Sequence, residues 1–345
     1  MHCHFAASPR KTLDMPTAKI VSLVAEAAAL GAGILNISGG EPLLHPDLKR
    51  IMRFAGNKMA LRLTTNGTLI DDGWAGFLAS LRPQIQISLD GPDASTHDAI
   101  RGPGSFVLAL RAVGRLQKAG LGERLILSAT MQGDNILRLG EIIALARRLG
   151  VPSLRFLPLR RQGRAARNWR RVGAALPVSA YEKFYDEVRS LIDRSGTGPR
   201  LSVSCGLSGF VPYRGEWAEE DGFWCFVGTT LAVAADGNAF PCVLLMRDDF
   251  LLGNAYRKSL AGILRSKPMA RICGVLANRR KDIPRCAACL WNNFCQAGCM
   301  GMALDHKGTV MDTDRFCAYR KKIYGAAFRK IIRHTASQGA DHAAD

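Results

Sequence analysis

The chain has 345 residues, a size for one large domain or about two smaller ones, and its 48% hydrophobic and 22% charged content excludes a disordered tail or a low-complexity repeat. No apolar run approaches the ~18 residues of a membrane span, because Glu26 breaks the Ala-rich stretch 21–30; the first residues, Met1-His2-Cys3-His4-Phe5, lack the basic, apolar and cleavage regions of a secretory signal, so the expected address is the cytoplasm. Against that ordinary background stand a formal net charge of +18 and ten cysteines, six of them after residue 270.

In chain order, β-type runs at 33–38, 61–65, 85–89, 125–130 and 154–159 alternate with helical periodicity near 16–30, 46–55, 72–80, 105–119 and 135–149. Gly31, Gly120 and Gly150 fall where helices should stop. Such alternation predicts an α/β fold with a parallel sheet and right-handed crossovers. Chemistry in these sheets gathers at the C-terminal strand ends, which carry Gly39-Gly40-Glu41-Pro42, Asn66-Gly67 and Asp90-Gly91.

After Leu159 the character changes. Arg160, Arg161, Arg164, Arg167, Arg170 and Arg171 crowd into twelve residues, which reads as a solvated connecting face, with an anionic-substrate contact as the alternative. A boundary is expected near 172–178, then a linker helix (179–192) and strand up to 204, a cysteine-rich module over 205–325 and a frayed tail over 334–345.

In a reducing compartment clustered cysteines read as metal ligands rather than disulfides. Cys225 and Cys242 precede a Cys286-x2-Cys289-x5-Cys295-x3-Cys299 run, and Cys317 follows. Thiolate sets of this kind hold iron–sulfur clusters, and the run alone would also suit a structural zinc. Seven cysteines are one short of two complete sets, so Cys205 is a candidate eighth ligand or a buried free thiol, and Cys273 reads as core.

Together these residues resemble the radical S-adenosylmethionine superfamily and its seven-cysteine SPASM module. The resemblance implies a partial (β/α)6 barrel whose first strand is missing from the chain, followed by the SPASM domain. Superfamily members hold a catalytic 4Fe-4S cluster on a C-x3-C-x2-C loop after the first strand, and only Cys3 is present here. The expectation is that the first two cysteines of that loop, and one strand, lie upstream of residue 1, so that the chain as it stands lacks a complete radical site.

The resemblance also implies the site residues. Gly39, Gly40 and Glu41 would receive the methionyl end of S-adenosylmethionine, with Asn66 a further candidate; Ser88 and Asp90 would face its ribose, Arg101 its carboxylate and Leu157 its adenine. Cys225, Cys242 and Cys299 would hold the nearer auxiliary cluster, either completed by Cys205 or left with an open iron that could bind substrate, and Cys286, Cys289, Cys295 and Cys317 the farther one. The implied activity is reductive cleavage of S-adenosylmethionine and modification of a peptide or small protein, fed by an electron donor such as flavodoxin or ferredoxin. Maturation of a sulfatase-type residue or a tetrapyrrole, and a non-catalytic cluster-binding remnant, are the alternatives. Nucleic acid is not expected as a partner, since no aromatic-interleaved basic stripe accompanies the charge.

Overall fold

A computed structural model describes residue 3, residues 14–133, 135–172, 177–194, 200–203, 225, 227–326 and 328–329. The tail over 334–345 and Cys205 lie outside them.

The chain divides into two compact units: Met1–Ser204 with Phe226–Gly274, and Cys205–Cys225 with Val275–Asp345. In the first unit the expected alternation is present. Helix α1 (Thr17–Ala29) leads to β1 (Ile34–Ile37), α2 (Leu48–Gly56) to β2 (Ala60–Thr65), and α3 (Asp72–Leu81) to β3 (Gln84–Ser88). Two helices, α4 (Ala94–Arg101) and α5 (Ser105–Lys118), precede β4 (Leu125–Met131), and α6 (Leu139–Arg148) precedes β5 (Ser153–Pro158). Short helices α7 (Gly163–Arg167) and α8 (Trp169–Val172) and the longer α9 (Val178–Arg194) then lead to β6 (Arg200–Val203).

All six strands form one parallel sheet in sequential order. The last of them comes from the segment read as linker. The sheet therefore reaches six strands without one ahead of Cys3, and strand number says nothing about what precedes that residue.

Strand alternation gives the sheet two unlike faces. Leu61, Leu63, Ile85, Ile87, Leu127, Leu154 and Phe156 are buried on one face, which register holds in line from strand to strand. On the other face Ser88 stands beside Ser128, and Ser128 beside Arg155. The Arg155 guanidinium donates to Gln86 Oε1 at 3.3 Å. The first face is an oily core. The second is a polar surface, suited to holding a polar ligand.

The helix stops at Gly31, Gly120 and Gly150 all have positive φ (83°, 77° and 61°), the left-handed region glycine enters most easily. Beyond β6 the first unit also contains a small antiparallel sheet of β7 (Ala232–Val233), β8 (Asn238–Phe240) and β9 (Gly253–Asn254), with α10 (Leu260–Leu264) after it. Helix α11 (Lys267–Asp282) runs into the second unit, which adds α12 (Pro284–Ala287), α13 (Asn292–Cys295) and α14 (Met300–Lys307).

Candidate functional site

At the C-terminal end of β1 the backbone turns through Gly39, whose φ of +149° suits glycine, and no atom lies within 4 Å of where its Cβ would stand. The turn delivers Glu41 against the end of β2. Glu41 Oε1 accepts from the Thr65 hydroxyl at 2.7 Å and the Leu43 N–H at 3.2 Å, and Oε2 accepts from the Asn66 N–H at 2.8 Å. Burial raises the Glu41 carboxyl above the usual carboxylate range, partly countered by these three donors and by the Arg101 charge. A carboxylate so placed gains most from a cationic ligand.

Asn66 gives its backbone N–H to Glu41, while its side-chain oxygen closes a local turn on the Thr68 N–H and hydroxyl, at 2.8 and 2.7 Å. Ser88, at the end of β3, is buried on the polar face. Two residues on, Asp90 is fully buried, and both its carboxylate oxygens are engaged: Oδ2 by Arg101 Nε at 2.6 Å, Oδ1 by the Thr130 N–H at 2.7 Å. The eleven-residue spacing between Asp90 and Arg101 thus closes an ion pair, with helix α4 bringing the arginine back to the strand end. Leu157 sits half-buried on the polar face, beside Thr130.

Four residues of this cluster were not singled out from sequence. His97 Nδ1 accepts from the Asp90 N–H at 3.1 Å, and burial pushes its pKa down, so the ring is neutral with its proton on Nε2. Asn135 Nδ2 bridges the Asp90 and Thr130 carbonyls at 2.8 Å each, and its Oδ1 accepts from the Gln132 N–H. Thr65 orients Glu41 through its hydroxyl. Gln132, just past β4, is buried with neither side-chain amide atom partnered. A buried, unpaired carboxamide at a strand end is a docking point awaiting a polar group. The Asp90-Gly91 and Asn66-Gly67 strand ends marked the place in the sequence; partners up to 45 residues away, such as Asn135 for Asp90, leave no local pattern.

Cys3 is half-buried, and its carbonyl accepts from the Arg164 N–H at 2.9 Å, which sets it beside the start of α7. The arginine cluster splits: Arg161, Arg167, Arg170 and Arg171 are exposed, whereas Arg160 and Arg164 turn inward, Arg160 reaching the Leu244 carbonyl at 3.2 Å.

In the second unit Cys286, Cys289, Cys295 and Cys317 line one cavity, together with Arg320 and Tyr324. Burial, then the nearby Cys317 and Cys295 thiols, pushes Cys286 up to about 11. Cys317 is also raised by burial, against the Arg320 charge. Arg320 is buried and forked onto Asp314, its terminal nitrogens 3.0 and 2.8 Å from Oδ2 and Oδ1, and its Nε has no partner. Asp314 Oδ2 also accepts from the Cys299 N–H at 3.1 Å. Arg279, fully buried, donates to the Val310, Gly298, Ala297 and Asp312 carbonyls; burial pulls its pKa below the usual guanidinium value, partly countered by Cys299 and Asp314. Cys242 belongs to the first unit and Cys273 is half-buried there. Among the described residues no three His, Cys, Asp or Glu side chains converge on the position of a single ion; the four thiols instead ring a space, with a buried N–H to spare, and their donor chemistry fits an iron–sulfur cluster.

Residues 1–146 match the family model of the radical SAM superfamily, and residues 225–290 that of the SPASM iron–sulfur cluster-binding domain. Mycofactocin maturase MftC of Mycobacterium ulcerans is 27% identical over 99% of this chain and 89% of its own. An AdoMet-dependent heme synthase of Methanosarcina barkeri is 28% identical over 93% of this chain and 92% of its own. Among solved structures, anSMEcpe with bound AdoMet superposes with a TM-score of 0.74 at 19% identity, covering 97% of this chain and 94% of that one. Streptococcus suis SuiB bound to the precursor peptide SuiA gives 0.70 at 15% identity, over 92% and 72%.

Proposed function

Because the chain belongs to the radical S-adenosylmethionine superfamily and carries a SPASM module, we propose that it is a peptide maturase that reductively cleaves S-adenosylmethionine to modify a ribosomally made peptide. The observation that carries this reading is the near full-length likeness to mycofactocin maturases, 99% of this chain in one case. The bound cluster and S-adenosylmethionine supply the electron and the hydrogen-abstracting radical.

The chain's own residues bind and orient. Glu41, held by Thr65 and Asn66, takes the cofactor's ammonium, and Gly39, with Gly40 after it, leaves room beside the backbone, since nothing lies within 4 Å of a Cβ at Gly39. Arg101, fixed by Asp90, stands close enough to Glu41 to lower its pKa and so presents the positive charge that a carboxylate needs. Ser88 and Leu157 take the ribose and adenine sides, and Cys3 is the third thiolate of the radical cluster. Cys286, Cys289, Cys295 and Cys317 hold one auxiliary cluster, and Cys225 and Cys299 belong to the other.

Anaerobic reconstitution of the protein with a complete C-x3-C-x2-C loop, followed by incubation with the peptide encoded by a short open reading frame beside its gene, tests the reading. A mass change in that peptide with release of 5′-deoxyadenosine is expected; cofactor cleavage with an unmodified peptide removes the peptide assignment. A tetrapyrrole is the second reading, favoured by the heme synthase relatives at 27–28% identity, and a tetrapyrrole consumed in the same assay decides for it.

A further inference from the structure

Beside the four-cysteine cavity the surface of the second unit becomes both oily and basic. Leu290 is 82% exposed, Phe294 61% and Phe328 54%. Scattered exposed apolar side chains are ordinary, but these aromatics form one cluster: the Trp291 ring lies 6.3 Å from Phe294 and 6.0 Å from Phe328. Trp291 is also a wall of the cavity, where it meets Tyr324 at 5.7 Å. One indole therefore joins the patch to the space ringed by the thiols.

The rim is positively charged. Arg285 and Lys321 are exposed and line the cavity with the cysteines. Arg280 donates to Asn293 Oδ1 at 3.3 Å, next to Phe294, and the Arg329 guanidinium lies against Gly325 on the Trp291 side. From residue 315 to 329 the sequence has five Lys and Arg and no Asp or Glu, and of the five Arg320 is paired with Asp314. The nearby acids offset this only in part: Asp314 is taken up by Arg320, while Asp312, tied to the Thr313 N–H, acts on Arg285, and Asp282 is exposed.

We propose that this face docks an acidic one-electron carrier protein, which passes its electron to the cluster held by Cys286, Cys289, Cys295 and Cys317; the proposal rests on that cluster assignment. One electron leaves the carrier, taking a flavin hydroquinone to its semiquinone, and the oxidised cluster gains it; no atom is transferred. Position favours a carrier over the substrate, because the patch shares a wall with the thiol cavity. Size agrees, since a few aromatics with a charged rim suit a weak, steered, short-lived encounter.

The test uses the full chain loaded with iron and sulfide, flavodoxin hydroquinone as the acidic probe and dithionite as a small reductant that needs no docking. In anaerobic stopped-flow, Phe294→Ser and Arg329→Glu together should slow reduction by flavodoxin about tenfold at low salt. The difference should shrink as salt rises, while iron content and the dithionite rate stay as in the wild type. Equal flavodoxin rates in variant and wild type overturn the proposal, as does weaker peptide binding with unchanged reduction, which would give the face to the substrate. A separate Cys289→Ser variant that retains all its iron removes the cluster assignment itself, and so marks that failure apart from a failure of docking.

Discussion

Glu41 shows how a single side chain can serve fold and ligand together. Its carboxylate ties the β1 end to the β2 end through Thr65 and Asn66 and is half out of water, so burial raises its pKa despite three hydrogen bonds. A bound ammonium would offset that burial. Glu41→Gln should therefore weaken S-adenosylmethionine binding by about 10–100-fold, the worth of one charge-assisted hydrogen bond, as measured by equilibrium dialysis. In the wild type, affinity should fall on acidification through the raised Glu41 pKa, starting at a higher pH than an ordinary carboxylate would give, and the glutamine variant should lose that dependence. His97 makes a stability prediction of the opposite chemical type. Its folded pKa is depressed by burial, so below about 6.5 the unfolded chain binds a proton that the folded chain resists, and stability is lost as pH falls from there toward the folded value. Thermal unfolding at stepped pH should show that loss, and His97→Gln should flatten it. Gln132→Leu replaces an unpaired buried amide with an apolar group of similar size, so the ligand-free protein should gain about 1 kcal/mol in denaturant unfolding.

At the scale of elements, the loop between Cys295 and Cys299 is the most constrained piece of the second unit. Gln296, Ala297 and Gly298 have φ of 51°, 62° and 71°, three left-handed residues in succession, two of them with side chains that disfavour it. This winding turns the Ala297 and Gly298 carbonyls onto Arg279 and presses the Gly298 Cα against the Asp314 and Arg320 side chains. Gly298→Ala would put a methyl 2.5 Å from Asp314 Oδ2 and against the arginine, so the buried pair must part. A loss of about 3 kcal/mol and of bound iron is expected, read by denaturant unfolding and iron analysis. The five strands and their helices were legible because each buried face repeats every two or every 3.6 residues over a long enough run. Helix α4 was not, because its eight residues take their order from the Asp93 cap and from an ion pair that forms only once Asp90 is fixed. The Cys-x2-Cys spacing pointed to metal; Arg320, Arg279 and Tyr324, which surround the sulfurs, carry no such spacing and emerge only from packing.

For the whole molecule, the net charge of +18 first suggested an unspecific basic surface. It now divides by role. Arg279 and Arg320 are buried among the cysteines and Arg101 is locked to Asp90, whereas the exposed positive charge includes the rim around Trp291. The cysteines divide as well, with Cys3 in the sheet unit and Cys286, Cys289, Cys295, Cys299 and Cys317 in the second. Within that second set burial makes the Cys286 and Cys317 thiols resist ionisation, Cys286 being pushed up to about 11, so a metal must displace their protons. Cluster assembly should accordingly release protons and become more favourable as pH rises from neutrality. Titrating iron and sulfide into the anaerobic apoprotein across that range should show it. Cys286→Ser should then lower bound iron by about four per chain, one 4Fe-4S cluster, and leave S-adenosylmethionine affinity near the wild-type value. Glu41→Gln should do the reverse, keeping the iron and losing the affinity. If both variants lost both properties, the two sites would not be the separate constellations that the side chains describe.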